Sequence, residues 1–257
     1  MEGAPSCCPA GSWPALKVDY TPTGTTEDIG QGMQAYLTGH AEQGGKAILV
    51  VHDVFGPESG RSKAIADQLA AAGYFVVLPD LFRGDPLPSI SELMTWAKKY
   101  PAEALQKDVK EVVLPFLKDK GIESVGMIGF CWGSWAMFHF SGDEAIAPSI
   151  KCGVDCHPSL ILEQLVFEKD PVAVAERVKS GPHLLLPAAN DPDFVKEGGA
   201  VIQKLQEKEA FGEHCKVVNF PQQQHGWVNR GDVTNEEVRK DVQRALELAL
   251  EFFKQHL

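Results

Sequence analysis

Short apolar runs that alternate with helix-spaced segments constrain this chain more than any other feature. Residues 47–51, 74–78, 125–128, 150–154 and 183–186 are largely apolar without a polar face. Strands of this kind belong to parallel sheets covered by helices on both sides. Between them, 62–72 carries Ile65, Leu69 and Ala72 at helical spacing and stops at Gly73. Further helical patterns fill 91–100, 103–118, 171–178 and 194–209, the second of these kinked or interrupted at Pro115. A strand or hairpin is expected around 33–37 and a last strand at 216–220. Thr234 with Glu237 reads as a capping box that opens a closing helix, with Val238, Val242, Ala245, Ala249 and Phe252 on its apolar face. This order specifies a doubly wound α/β domain with right-handed crossovers, its functional groups on loops beyond the C-terminal strand ends. The first 15 residues, rich in Pro, Gly, Ser and Cys, read as an irregular arm, and 16–257 as one domain.

At 257 residues and 44% hydrophobic, the chain is long enough to bury one large core. A formal charge of −11 argues against nucleic acid, which requires a basic face. No run approaches the roughly 20 apolar residues of a membrane helix. The N-terminus lacks a basic segment followed by an apolar stretch, so a cytoplasmic protein is expected. Six cysteines are too few for a disulfide scaffold at this length. Cys152 and Cys156 beside His157 have no second ligand pair at metal-site spacing and read as buried structural cysteines. Cys7 and Cys8 read as a surface pair rather than a lipidated or redox-active one.

The segment Gly129-Phe130-Cys131-Trp132-Gly133 ends one apolar run and opens a helix-compatible one. A strand that turns sharply into a helix strains the residue at its apex and needs glycine two positions to either side. The apex side chain then stands over a helix N-terminus whose field favours a thiolate. Cys131 is thus a candidate nucleophile. Ser134 is not one, because Trp132 and Ala136 occupy the flanking positions that an elbow centred on it would need as glycine.

A nucleophilic thiol needs a base, an orienting acid and oxyanion donors. Asp191 follows the 183–186 run and His225 follows the last strand, giving the chain order nucleophile, acid, base. His225 is expected to exchange a proton with Cys131, and Asp191 to fix its tautomer. Asp193 is the rival acid, set farther from the strand end. The N–H of Trp132 and that of Val54, on the loop after 47–51, are the expected oxyanion donors.

Taken together, Gly-Phe-Cys-Trp-Gly, His52-Asp53-Val54-Phe55-Gly56, Pro79-Asp80-Leu81-Phe82-Arg83, Asn190-Asp191 and His225-Gly226-Trp227 resemble the dienelactone hydrolase family, from about residue 47 to the C-terminus. The resemblance implies an α/β-hydrolase fold. It also implies a Cys-His-Asp enzyme that opens lactones or cleaves small esters through a thioester, with no metal or cofactor. The partner it implies is a small molecule that can carry a carboxylate; a monomer or homodimer is expected, with no nucleic acid and no membrane. Founding members carry a Glu that contacts the resting thiol. Asp53 stands there in this chain, one methylene shorter, and is expected either to contact the thiol or to shape the loop and pair with a cation. Arg83 and Arg230 lie near the family's carboxylate-binding positions, each offset in spacing. Phe55, Trp227 and His157 are the expected pocket residues beside Trp132. Two other classes are distinct from such an enzyme. One is a thiol redox sensor with Cys152 or Cys156 as resolving partner, and the other a hydrolase-fold binding protein that has lost catalysis.

Overall fold

The computed structural model describes residues 8–42 and 44–257. Among the described residues, eight strands run β1 (Thr25–Asp28), β2 (Gln34–Thr38), β3 (Gly45–Val51), β4 (Phe75–Pro79), β5 (Ile122–Phe130), β6 (Ile150–Cys156), β7 (His183–Leu186) and β8 (Lys216–Val217). They form one sheet in the order β1-β2-β4-β3-β5-β6-β7-β8. The pairings β1 with β2 and β2 with β4 are antiparallel, and every other pairing is parallel. The helices are α1 (Ser62–Ala71), α2 (Leu93–Ala97), α3 (Ala102–Asp108), α4 (Leu114–Asp119), α5 (Trp132–Gly142), α6 (Leu162–Phe167), α7 (Ala173–Arg177), α8 (Ala200–Gln206), α9 (Trp227–Arg230) and α10 (Glu236–His256). This is a single-domain α/β-hydrolase fold.

The apolar runs are explained by what covers them. Along β3, Ala47, Leu49 and Val51 enter a core with Trp96, Leu105, Val109 and Trp135, on the face covered by α2, α3 and α5. Ile48 and Val50 enter the opposite core with Ile65 and Leu69 of α1 and Val242, Ala249 and Phe253 of α10. Successive side chains point to opposite faces, so burial of both faces demands an apolar residue at every position. The register pairs Val51 with Gly129, Phe130 with Cys156, and Cys156 with Leu186. Four strand ends therefore reach one edge together, and the loops that follow them meet there.

Several local details differ from the sequence reading. The 103–118 pattern is α3, one π turn over Val109–Val113, and α4 with Pro115 in its first turn. Pro115 cannot donate to residue 111, and widening the preceding turn to an i→i+5 bond accommodates the loss. The helix expected over 194–209 is a 3-10 turn (Asp193–Val195) followed by α8, because Gly198 (φ 73°) and Gly199 break the pattern. The last strand has two residues plus an isolated bridge from Phe220 to Ala188. Asn235, not Thr234, caps α10, accepting from the N–H groups of Glu237 and Val238. Thr234 is drawn back to Asp232, to which both its N–H and its hydroxyl donate.

Two buried polar clusters hold α5 in place. Glu163 Oε1 accepts from Trp135 Nε1 and pairs with His139 Nε2, both at 2.7 Å. Beneath β6, Asp155 Oδ2 lies 2.7 Å from His183 Nδ1, and His183 Nε2 lies 3.1 Å from Ser141 Oγ. That Asp-His-Ser chain has the composition of a catalytic triad but is sealed in the core, where it staples β6, β7 and α5 together. Among the described residues no helix is long and apolar enough to cross a membrane.

Candidate active site

Cys131 sits between β5 and α5 at φ 55°, ψ −113°, in the left-handed half of backbone space that L-residues rarely adopt. The flanking glycines are required by contact. A Cβ on Gly133 would stand 2.1 Å from Val51 O and 2.6 Å from His52 O, and one on Gly129 would stand 2.4 Å from Met137 Sδ and 2.7 Å from Ser134 N. Ser134, set aside as a nucleophile, is buried and donates to Gly129 O at 2.9 Å. Trp132 is the first residue of α5, so its N–H has no intrahelical acceptor. Val54 is fully buried in the turn after β3. The same turn is pinned by His52, whose Nδ1 pairs with Asp53 O at 2.8 Å while Nε2 accepts from Leu81 N at 3.2 Å. Burial holds His52 below its ordinary pKa, in keeping with a neutral ring that donates on one side and accepts on the other.

The structure brings Asp191 and His225 together with this thiol. Past β7, Asp191 folds back so that Oδ2 accepts from Ala188 N at 2.7 Å while Oδ1 lies 2.6 Å from His225 Nδ1. Asn190 Oδ1 accepts from His225 N at 2.7 Å, so adjacent residues fix both the ring and the backbone of the histidine. A ring nitrogen of His225 lies within 4.8 Å of the sulfurs of Cys131 and Cys8. Burial disfavours an imidazolium at His225. The Cys131 sulfur and the Asp191 carboxylate outweigh that and hold it well above its ordinary value. Asp193 is separate from this line: its carboxylate is 98% exposed and pairs with Lys196.

The sulfur of Cys131 has two neighbours that sequence reasoning did not place there. Ser159 Oγ donates to Cys131 Sγ at 3.2 Å, and its N–H donates to Cys131 O at 3.2 Å. Cys8 Sγ lies 4.0 Å away, so Cys8 is no surface thiol; Cys7 lies outside the described residues. Ser159 was open to inference, since it follows β6 at the same sheet edge as the other loops. Cys8 arrives on an arm with no periodicity, held by Asn190 Nδ2 on Ala10 O (3.0 Å) and by Trp13 N on His225 O (2.9 Å). Cys152 and Cys156 are buried within β6, where desolvation pushes the Cys152 thiol up to about 12 and raises Cys156 as well.

The expected binding residues scatter. Asp53 Oδ1 accepts from Phe55 N at 2.9 Å, and its Oδ2 takes Asn229 Nδ2 at 2.7 Å and Arg230 Nε at 2.8 Å. Arg230 is 1% exposed, also donates to Trp13 O, and lays its guanidinium over the Phe55 ring, 5.0 Å from the centroid. Arg83 instead forms a two-pronged pair with Asp108 at 2.7 and 2.8 Å, on the outer side of the β4 loop. Trp227 packs against Phe220 in the core, with ring centroids 4.4 Å apart. His157, at φ 40°, places its ring 4.9 Å from that of His225. Burial and the neighbouring His225 push His157 well below its ordinary value, so the ring is neutral. Phe55 and Gly56 border a cavity of about 270 Å³ with Tyr36, Asp80 and Pro86, beside the loop that follows β3.

Known proteins align with this chain along most of its length. The family model for the dienelactone hydrolase family matches residues 33–257. A carboxymethylenebutenolidase homolog of Rattus norvegicus is 28% identical over 239 residues, 89% of this chain and 87% of its own. The homolog of Xenopus tropicalis is 28% identical over 264 residues, covering 100% of this chain and 98% of its own. A crystal structure from Klebsiella pneumoniae, provisionally assigned as a dienelactone hydrolase, superimposes with a TM-score of 0.74 at 22% identity over 92% of this chain and 100% of the other. The chain therefore belongs to the dienelactone hydrolase family and is an ester or lactone hydrolase.

Proposed function

We propose that the chain hydrolyses a lactone or small carboxylic ester through a thioester on Cys131. The observation that carries this reading is the continuous line from Asp191 through His225 to a thiol held at a helix N-terminus. A thiolate at Cys131 and the Asp191 carboxylate both favour an imidazolium at His225, and the reaction starts from that ion pair. The thiolate attacks the carbonyl carbon, and the oxyanion is taken up by the N–H groups of Trp132 and Val54. Collapse expels the alkoxide, which takes the proton of the His225 imidazolium. His225 then removes a proton from water, the hydroxide attacks the thioester, and the acid leaves as the thiolate is regenerated. Asp191 keeps the Nδ1 proton in place and stabilises the imidazolium throughout.

Ser159 donates to the sulfur and favours its charged form. Asp53, held by Arg230, Asn229 and the Phe55 N–H, acts on the oxyanion loop and not on the thiol. A substrate carboxylate finds no uncommitted arginine at Arg83, which is taken up by Asp108. The test is Cys131→Ala against p-nitrophenyl acetate and a lactone panel. Turnover is expected to fall by at least about a thousandfold, and iodoacetamide should inactivate the wild type with label on Cys131. Wild-type turnover by Cys131→Ala would end this reading.

A further inference from the structure

We propose that Cys8, Cys131 and His225 form a three-ligand site for a thiophilic divalent cation of the zinc class, which when filled ties up nucleophile and base and silences the enzyme. Their ligand atoms all lie within 4.8 Å of one another, and the two sulfurs are 4.0 Å apart. Two thiolates bound at 2.3 Å in a tetrahedral site stand about 3.8 Å apart. The sulfur–sulfur edge is thus already close to that of a filled site. Two sulfurs and an imidazole select zinc, cadmium or copper(I) over magnesium, calcium or manganese.

The surroundings suit a metal ligand set. Asp191 holds His225 Nδ1 at 2.6 Å, the carboxylate–histidine arrangement that orients a ligating imidazole and leaves the other nitrogen for the metal. Asn190 ties the arm to the base loop, taking Ala10 O with its Nδ2 and His225 N with its Oδ1, so the two outer ligands share one anchor. The positive charge of Arg230 nearby is offset by Asp53 at 2.8 Å.

A second, independent observation is His157. Its ring is fully buried, and neither ring nitrogen has a hydrogen-bond partner among the described residues. Buried polar atoms are rarely left this way without a reason. The ring sits 4.9 Å from that of His225, within reach of the same cluster.

The test uses the full reduced chain titrated with cobalt(II) as a spectroscopic stand-in. One equivalent should produce a thiolate charge-transfer band in the near ultraviolet and tetrahedral d–d bands. Zinc should displace both, and a chelator should remove both. Zinc should also shield Cys8 and Cys131 together from iodoacetamide in the wild type, a readout that needs no variant. Cys8→Ser should keep its metal-free esterase activity while zinc affinity falls at least about a hundredfold. Absence of the charge-transfer band, unchanged zinc affinity in Cys8→Ser, or protection of Cys131 without Cys8 would each overturn the site. The inhibitory consequence rests on the proposed thioester mechanism, whereas the spectroscopic and labelling results do not, so the two readings fail separately.

Discussion

Removal of the Asp53 carboxylate tests how the loop after β3 is held. Asp53→Ala leaves the Arg230 guanidinium, 1% exposed, without its counter-ion. Breaking a buried pair from one side costs about 3–5 kcal/mol, because the remaining charge stays desolvated. The orphaned N–H of Phe55 adds about 1–3 kcal/mol. A total of about 4–8 kcal/mol is a large share of the roughly 5–15 kcal/mol that holds typical domains folded. Asp53→Asn retains an acceptor for Phe55 N and should lose less. Arg230→Met in the Asp53→Ala background removes the stranded charge and should recover at least about 2 kcal/mol, since coupled pairs are not additive. Urea denaturation followed by circular dichroism reads the wild type, Asp53→Ala, Asp53→Asn, Arg230→Met and the double variant, with equal m-values as the check that the same transition is compared. A loss below about 1 kcal/mol in Asp53→Ala, or strict additivity in the double variant, would refute the view that this pair is a coupled buried unit.

Three further outcomes follow from local contacts. Gly133→Ala forces a Cβ against Val51 O and His52 O, backbone atoms that cannot move aside, and should cost about 3 kcal/mol or more by thermal denaturation. Gly126→Ala meets only side chains of Leu257 and Phe253 at 2.9 and 3.0 Å and should cost less than Gly133→Ala. Asn235→Ala should lose about 1 kcal/mol through its helix cap, and Thr234→Ala clearly less, which distinguishes the two capping assignments by denaturant midpoint. Burial raises the carboxyl of Glu163, but its bonds to His139 and Trp135 outweigh this and leave it below its ordinary value. Its stabilisation is therefore present above the ordinary carboxylate range and is lost as pH falls through the lowered value. The acid side of a melting-temperature profile should flatten in Glu163→Gln; an unchanged acid limb would disprove the assignment.

What could be read from the sequence was what local physics dictates. The run 47–51 announced a strand buried on both faces because every position had to be apolar, and the glycines around Cys131 announced a turn because side chains there collide with Val51 O, His52 O and Met137. The order Cys131, Asp191, His225 followed from strand ends sharing one sheet edge. Details that depend on a competing partner were not legible. Thr234 has the right chemistry for a cap but is captured by Asp232, so the helix starts one residue later. Arg83 has the right charge for a substrate carboxylate but meets Asp108, 25 residues on, after a left-handed turn at φ 50°. Cys8 reaches Cys131 across 123 residues on an irregular arm, and no periodicity encodes such a contact.

The arm that brings Cys8 to the site also sets when that site is finished during synthesis. Ala10 is held by Asn190, 180 residues later, and Trp13 by Arg230, 217 residues later. At about 5–20 residues per second on the ribosome, the arm waits roughly 10–40 s for the last of its clamps. Until then the arm is not clamped over the site, and Cys131 lacks both His225 beside it and the arm as cover. The closed, dry thiol pair is therefore a property of the nearly complete chain: the nascent protein carries Cys8 open to oxidants, alkylators and stray metal throughout that interval, and Cys131 for roughly its last 5–20 s.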